Sequence, residues 1–126
     1  MPVDESRYGE SERESLGQAT VSVERRAEGV IVHVAGEIDM VSTPMLDRIV
    51  ERVLGERPGV VVFDLSGVTF FSSTGLAILT VAHRRAEGRT TLRIAAPAHA
   101  ARRALELTGM VDDLAVYPDV PTALVP

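Results

Sequence analysis

The chain has 126 residues, 45% of them apolar, a length that suits one domain burying roughly two thirds of its unfolded surface. It holds no cysteine, which excludes a disulfide scaffold, thiol catalysis and cysteine-bound zinc or iron–sulfur clusters. The net charge of −5 is uneven: residues 1–18 carry five acids against two arginines, and the nearly neutral remainder lacks the concentrated basic surface that nucleic-acid affinity requires.

Met1 is followed by a polar, acidic segment, so no cleavable signal is expected, and no apolar run approaches the ~20 residues that span a bilayer. A cytoplasmic location fits these features. Residues 1–18 show few apolar side chains and no periodicity. They read as a disordered acidic tail ahead of a folded domain over 19–126. Thr20–Arg26 then alternates at period two, with Val21 and Val23 on one face, and Glu28-Gly29 turns the chain into a second strand, Val30–Ala35. His33 faces opposite to Val32 and Val34. With only His83 and His99 elsewhere and no cysteine, it is expected to be a sheet-face histidine and not a metal ligand.

Gly36-Glu37-Ile38-Asp39 leaves the second strand. Thr43 suits an N-cap and Pro44 the first helical position, where its missing N–H costs nothing. Leu46, Ile49, Val50, Val53 and Leu54 recur at helical spacing until Gly55 and Pro58-Gly59 end the helix. A crossover of this length returns the chain to a parallel neighbour, the valine-rich Val60–Leu65. Asp64 interrupts that run, Ser66-Gly67 reads as a turn, and Phe70-Phe71 leads into Ser72-Ser73-Thr74-Gly75. There a loop hands over to a second helix, from about Ser73 to Glu87, that Ser72 or Ser73 can cap. Between Gly75 and Ala82 this helix has no charged residue, so another helix or a partner must cover it. A strand over Thr90–Ala95 follows, then a short helix over His99–Leu107 with Gly109 as its C-cap glycine, and Met110 and Val111 packing its exit. Leu114–Tyr117 forms a final extended piece, and Asp119 caps a last turn through Leu124. This βαβα punctuation predicts a single α/β domain with a mixed, partly parallel sheet flanked by helices.

No phosphate-binding glycine loop, zinc-peptidase motif or nucleophile elbow occurs. Asp39 and Asp64 both leave apolar strands. In a parallel sheet both would approach the edge that carries Thr74, and two acids with a hydroxyl can bind a metal or activate water. The same acids also cap turns. No basic group is placed to carry developing anionic charge, so capping is the preferred reading, and no metal, cofactor or catalysis is expected. The hydroxyl cluster has a different use open to it. A phosphate there would add about −1.5 to −2 charge, which a helix N-terminus tolerates and an acidic or apolar partner surface does not. Capping without regulation is the alternative.

Gly36-Glu37-Ile38-Asp39 with Ser42/Thr43, the run Val62–Leu76 containing Ser72-Ser73-Thr74-Gly75, and the ending Arg103–Met110 with Val116–Val120 together resemble the STAS domain. Within that fold the likeness, over about residues 20–124, is to bacterial anti-sigma factor antagonists. The resemblance implies a phosphoacceptor immediately before the motif glycine, which is Thr74, with Ser73 as the alternative. It implies a partner-binding surface from Gly36, Glu37, Asp39 and Ser42 of the loop and Ser72, Ser73, Gly75 and Leu76 of the helix start. Asp64, Thr43 and Gly109 become structural positions of the motif. The implied partners are an anti-sigma factor that is a serine/threonine kinase, and a serine/threonine phosphatase that resets the switch. Phosphorylation would break the complex, and added phosphate beside Asp39 would repel it. One position departs from the pattern: Ser72 stands where the family usually has Asp. A STAS interaction module that is not phosphorylated, as a signalling scaffold or an accessory subunit of a transport system, is the alternative.

Overall fold

Strict alternation on the second and third strands places Val21 opposite Val34 and Val23 opposite Val32, and all four side chains are buried on one face of a sheet. In the computed structural model, which describes residues 11–97, 100–110 and 114–125, the elements run in the following order. They are β1 (Ser11–Leu16), β2 (Ala19–Arg26), β3 (Gly29–Ile38), α1 (Thr43–Gly55), β4 (Val60–Phe71), α2 (Ser73–Ala86), β5 (Thr91–Ala95), α3 (Ala100–Leu107), β6 (Val116–Tyr117) and α4 (Val120–Leu124). The expected positions His99 and Val111 lie outside the described residues.

The six strands lie side by side in chain order; β1, β2 and β3 are antiparallel, and β3 through β6 are parallel. Parallel neighbours require crossovers, and α1, α2 and α3 supply them. These helices bury Leu46, Ile49 and Val53, then Leu76 and Leu79, then Ala101 and Leu105, against Val32, Phe63 and Ile94 of the sheet. The opposite face is covered only in part, where α4 seats Ala123 on Ile31, Val62 and Ala95.

Three expectations are corrected. Ser11–Leu16 is not tail: it pairs antiparallel with β2, from Ser11 opposite Glu24 to Leu16 opposite Ala19. Its acids are held by arginines. Glu12 bonds Arg25 at 2.5 Å and also Arg52 of α1, while Glu14 bonds Arg48. Ion pairing replaces apolar burial on this edge strand, so the sheet starts ahead of residue 19; residues 1–10 lie outside the described residues. Second, Ser66-Gly67 is not a turn. β4 runs unbroken to Phe71, and a register shift sets three residues of β3, from His33 to Ala35, against four of β4, from Asp64 to Gly67. That is a β-bulge, with the glycine close to Ala35.

Third, Asp64 does not end a strand. It sits within β4 on the face opposite α1, α2 and α3, paired in register with His33. The His33 Nδ1 lies 2.7 Å from Asp64 Oδ2, and Nε2 lies 2.8 Å from Glu24 Oε1. The Ser66 backbone N–H donates to the other Asp64 oxygen at 3.0 Å. His33 is thus a sheet-face histidine, flanked by two carboxylates. The Asp64 bond, helped by Glu24 and opposed by burial, raises its pKa. Arg26 first and His33 second hold Glu24 below the ordinary range. Burial pushes Asp64 up, but the bonds from His33 and Ser66 outweigh it and hold the carboxyl low.

A histidine with a raised folded pKa stabilises fully below its unfolded pKa of about 6.5 and loses that contribution as pH climbs through the folded value. The two carboxylates, depressed on folding, act above their unfolded values and lose their share as pH falls through the folded ones. The triad is therefore worth most at mildly acid pH. Urea denaturation should show a gap between the wild-type protein and His33→Gln that is larger at pH 5.5 than at pH 9. The difference should be about 1 kcal/mol, discounted for solvent screening, at a side chain 35% exposed. A gap that is constant or grows with pH contradicts this.

Candidate functional site

The parallel strands β3 and β4 end together, with Glu37 opposite Phe70 and Ile38 opposite Phe71. Both chains then turn into helices, so the loop before α1 and the start of α2 share one end of the sheet. The Ser72 backbone N–H donates to the Ile38 carbonyl at 2.8 Å and ties the two segments together.

Residues Gly36–Ser42 are held from inside. Gly36 has φ +85°, and a Cβ on it would fall 2.0 Å from the Gln18 carbonyl oxygen, which accepts from the Glu37 N–H at 3.0 Å. Asp39 Oδ1 accepts from the N–H groups of Val41 at 3.0 Å and Ser42 at 3.2 Å. The Ser42 hydroxyl, fully buried, donates to the Glu37 carbonyl at 2.9 Å and accepts from the Asp39 N–H at 3.0 Å. Ser42, not Thr43, therefore occupies the N-cap position of α1, without a side-chain cap bond because its hydroxyl is spent on the loop. Thr43 is the first helical residue and is buried. Asp39 sits on the loop as expected, with its carboxylate turned onto its own backbone. Asp64 pairs in register with His33, six residues before Asp39, so the two acids do not meet. Among the described residues no group of three His, Asp or Glu side chains forms a metal cluster.

At the second segment Ser72 is the N-cap of α2, in extended backbone, and its Oγ accepts from the Gly75 N–H at 3.1 Å. This satisfies one of the four free N–H groups of the first turn. An aspartate would place the same kind of acceptor there, so the change to serine leaves the cap intact. Gly75 is buried for a steric reason: an added Cβ would come 2.8 Å from Ile38 Cγ2 and 2.9 Å from Phe71 Cε1. Gly75→Ala should cost about 1–3 kcal/mol by overpacking, read as a lowered urea midpoint with unchanged slope. A loss below 0.5 kcal/mol would show that Ile38 and Phe71 yield freely. Leu76 is buried as well. Gly36, Ser42, Gly75 and Leu76 thus shape the site from within, while Glu37, Ser73 and Thr74 are exposed.

Thr74 stands in the first turn of α2, and among the described residues its hydroxyl has no hydrogen-bond partner. It forms one wall of an apolar groove of about 400 Å³ between α1 and α2, with Thr43, Pro44, Asp47, Ala77, Ile78 and Val81. The uncharged stretch of α2 therefore divides. Leu76, Leu79 and Ala82 enter the core, whereas Thr74, Ala77 and Val81, the last 50% exposed, form an outward stripe at helical spacing. Neighbouring exposed apolar side chains at this end are Met40 at 85%, Val41 at 58% and Phe70 at 52%. The sequence reading missed Asp47, Met40, Val41 and Phe70. Adjacent strand residues point to opposite faces, so Phe70 and Phe71 cannot both join the cluster under α1 and α2, and Phe71 is the one that does. Gly109, with φ +74° just after α3, is the expected C-cap glycine.

No helix among the described residues is long and apolar enough to cross a membrane. A family model for the STAS domain matches residues 20–123. The anti-sigma-F factor antagonist RsfB of Mycobacterium tuberculosis, found in two strains, is 29% identical over 91 residues, covering 72% of this chain and 75% of that protein. The crystal structure of an anti-sigma factor antagonist from Mycobacterium paratuberculosis superposes with a TM-score of 0.80 at 36% identity, covering 84% of this chain and 91% of the other. The order of strands and helices, the buried motif glycine and the family match over most of the chain agree: this protein belongs to the STAS domain family.

Proposed function

We propose that this protein is an anti-sigma factor antagonist that binds a kinase-type anti-sigma factor, releases the sigma factor held by it, and is switched off by phosphorylation of Thr74. The names of the relatives support the class of activity. The observation that carries the switch is the exposed Thr74 hydroxyl on the wall of an apolar groove at a helix N-terminus. The groove and the exposed Met40 and Val41 of the loop before α1 supply apolar contact area for a partner. A phosphate on Thr74 introduces about two negative charges there. The α2 N-terminus accepts them locally, while Asp47 in the groove and Asp39 on the adjoining loop make the surface strongly anionic. Docking is lost and the fold is not. No catalytic group of the chain takes part; the kinase supplies the phosphoryl transfer and a serine/threonine phosphatase the reversal, in the cytoplasm where sigma factors act.

Ser72 supports a second reading, a STAS interaction module that is not phosphorylated, because the family's carboxylate beside the acceptor is absent. One experiment separates them. Incubation with cognate kinase-type anti-sigma factors and ATP, followed by mass spectrometry, should place phosphate on Thr74 and none on Thr74→Ala. Absence of phosphate with every cognate kinase favours the unphosphorylated module; phosphate on Ser73 alone moves the switch by one residue.

A further inference from the structure

At the end of α2 remote from Thr74 lies a second concavity, about 510 Å³, between the C-terminal turns of α1 and α2. Four of its lining side chains are arginines, Arg57, Arg84, Arg85 and Arg89, with Leu54 and the Thr90 side chain beside them. Arg85 bonds Glu51 at 2.9 Å, but Arg57, Arg84 and Arg89 have no side-chain acceptor among the described residues. Helix C-termini carry about half a negative charge each, and those two ends attract cations. That accounts for part of the cluster. Set against the four guanidiniums, both helix ends, Glu51 and the lining Glu87 still leave about one positive charge in excess. Arg57 is also the one non-glycine residue of positive φ, +53°, among the described residues, and it precedes Pro58, which disfavours helical backbone. The Arg57 N–H donates to the Leu54 carbonyl at 3.0 Å in a left-handed cap that ends α1, and this turn brings its exposed guanidinium to the cavity beside Arg84, Arg85 and Arg89.

We propose that this cavity binds a small phosphate-bearing molecule, its phosphate held by the guanidiniums of Arg57, Arg84 and Arg89. Planar guanidinium forks match phosphate oxygens in pairs. The Thr90 hydroxyl adds a neutral donor, and Leu54 gives an organic part an apolar wall. The space exceeds what inorganic phosphate alone would fill, within the usual range of about 300–1,000 Å³ for small-molecule sites. An acidic protein segment is the less suited occupant, because the arginines surround a concavity and not a flat face.

The test titrates pyrophosphate and a hexose 6-phosphate separately into the isotope-labelled full chain at low salt, followed by backbone-amide NMR. Saturable shifts at Arg57, Arg84, Arg85 and Arg89 are expected for at least one of them. The double variant Arg84→Ala/Arg89→Ala should bind at least tenfold more weakly. Arg13→Ala/Arg103→Ala, which removes the same charge from exposed positions elsewhere, should bind as the wild-type chain does. Tighter binding of the hexose ester supports an organic ligand, and tighter pyrophosphate an inorganic one. Shifts that never saturate, or equal weakening in both double variants, overturn the site as diffuse charge attraction. Stronger binding of an oligoglutamate peptide to the same amides overturns it in favour of a protein-docking surface.

Discussion

Thr74→Glu is expected to weaken binding to the anti-sigma factor about 100-fold, while Thr74→Ala binds within a few-fold of wild type. The size follows from burying an unpaired charge in an apolar interface, which costs about 3 kcal/mol or more. The hydroxyl itself has no partner to lose among the described residues, so its removal leaves the groove nearly unchanged. The fold provides an internal control. A carboxylate in the first turn of α2 faces the positive end of the helix and stabilises it by a few tenths of a kcal/mol up to about 1 kcal/mol. Thr74→Glu should therefore melt no lower than wild type while losing its partner. Calorimetric titration together with thermal unfolding reads both quantities, and a Glu variant that binds normally removes the basis for a charge switch.

Gly36→Ala is the substitution expected to damage the fold most. At φ +85° a side chain is already strained, and its Cβ would lie 2.0 Å from a backbone oxygen, which cannot swing aside as a side chain can. Relief requires moving Gln18 and breaking its bond from Glu37, the contact that anchors the β1–β2 connection to the site loop. A loss of about 3 kcal/mol or more is expected in urea denaturation. Gly55→Ala is the matching control: nothing lies within 4 Å of an added Cβ at the end of α1, and alanine there is neutral or stabilises by up to about 1 kcal/mol. Equal losses for the two variants would contradict the steric account.

Elements whose burial is apolar and periodic were legible in the sequence: the β2–β3 hairpin, α1, α2 and the turn of α4. β1 was not, because its alternation is carried by Glu12 and Glu14, whose faces are satisfied by Arg25, Arg48 and Arg52 from elements distant in sequence. No local pattern announces such partners. β4 was cut short for a related reason, since Ser66-Gly67 has turn chemistry and only the pairing with Ala35 turns it into a bulge. At the site, the hydroxyl cluster and the Ser72 cap followed from local chemistry. The loop did not. Ser42 and Thr43 both suit an N-cap by composition, and only the closed ring of bonds among Glu37, Asp39 and Ser42 shows which hydroxyl is spent where. The split of α2 into a buried and an outward apolar stripe likewise needed the position of α1 beside it.

On the proposed switch, the Thr74 end of this domain is a docking surface closed by one phosphate. Its most direct test is the affinity of the chain phosphorylated at Thr74 for the anti-sigma factor, measured beside the unphosphorylated chain at the same ionic strength. Loss of at least 100-fold, reversed when a phosphatase removes the phosphate, is the predicted result. Equal affinity of the two forms would contradict it.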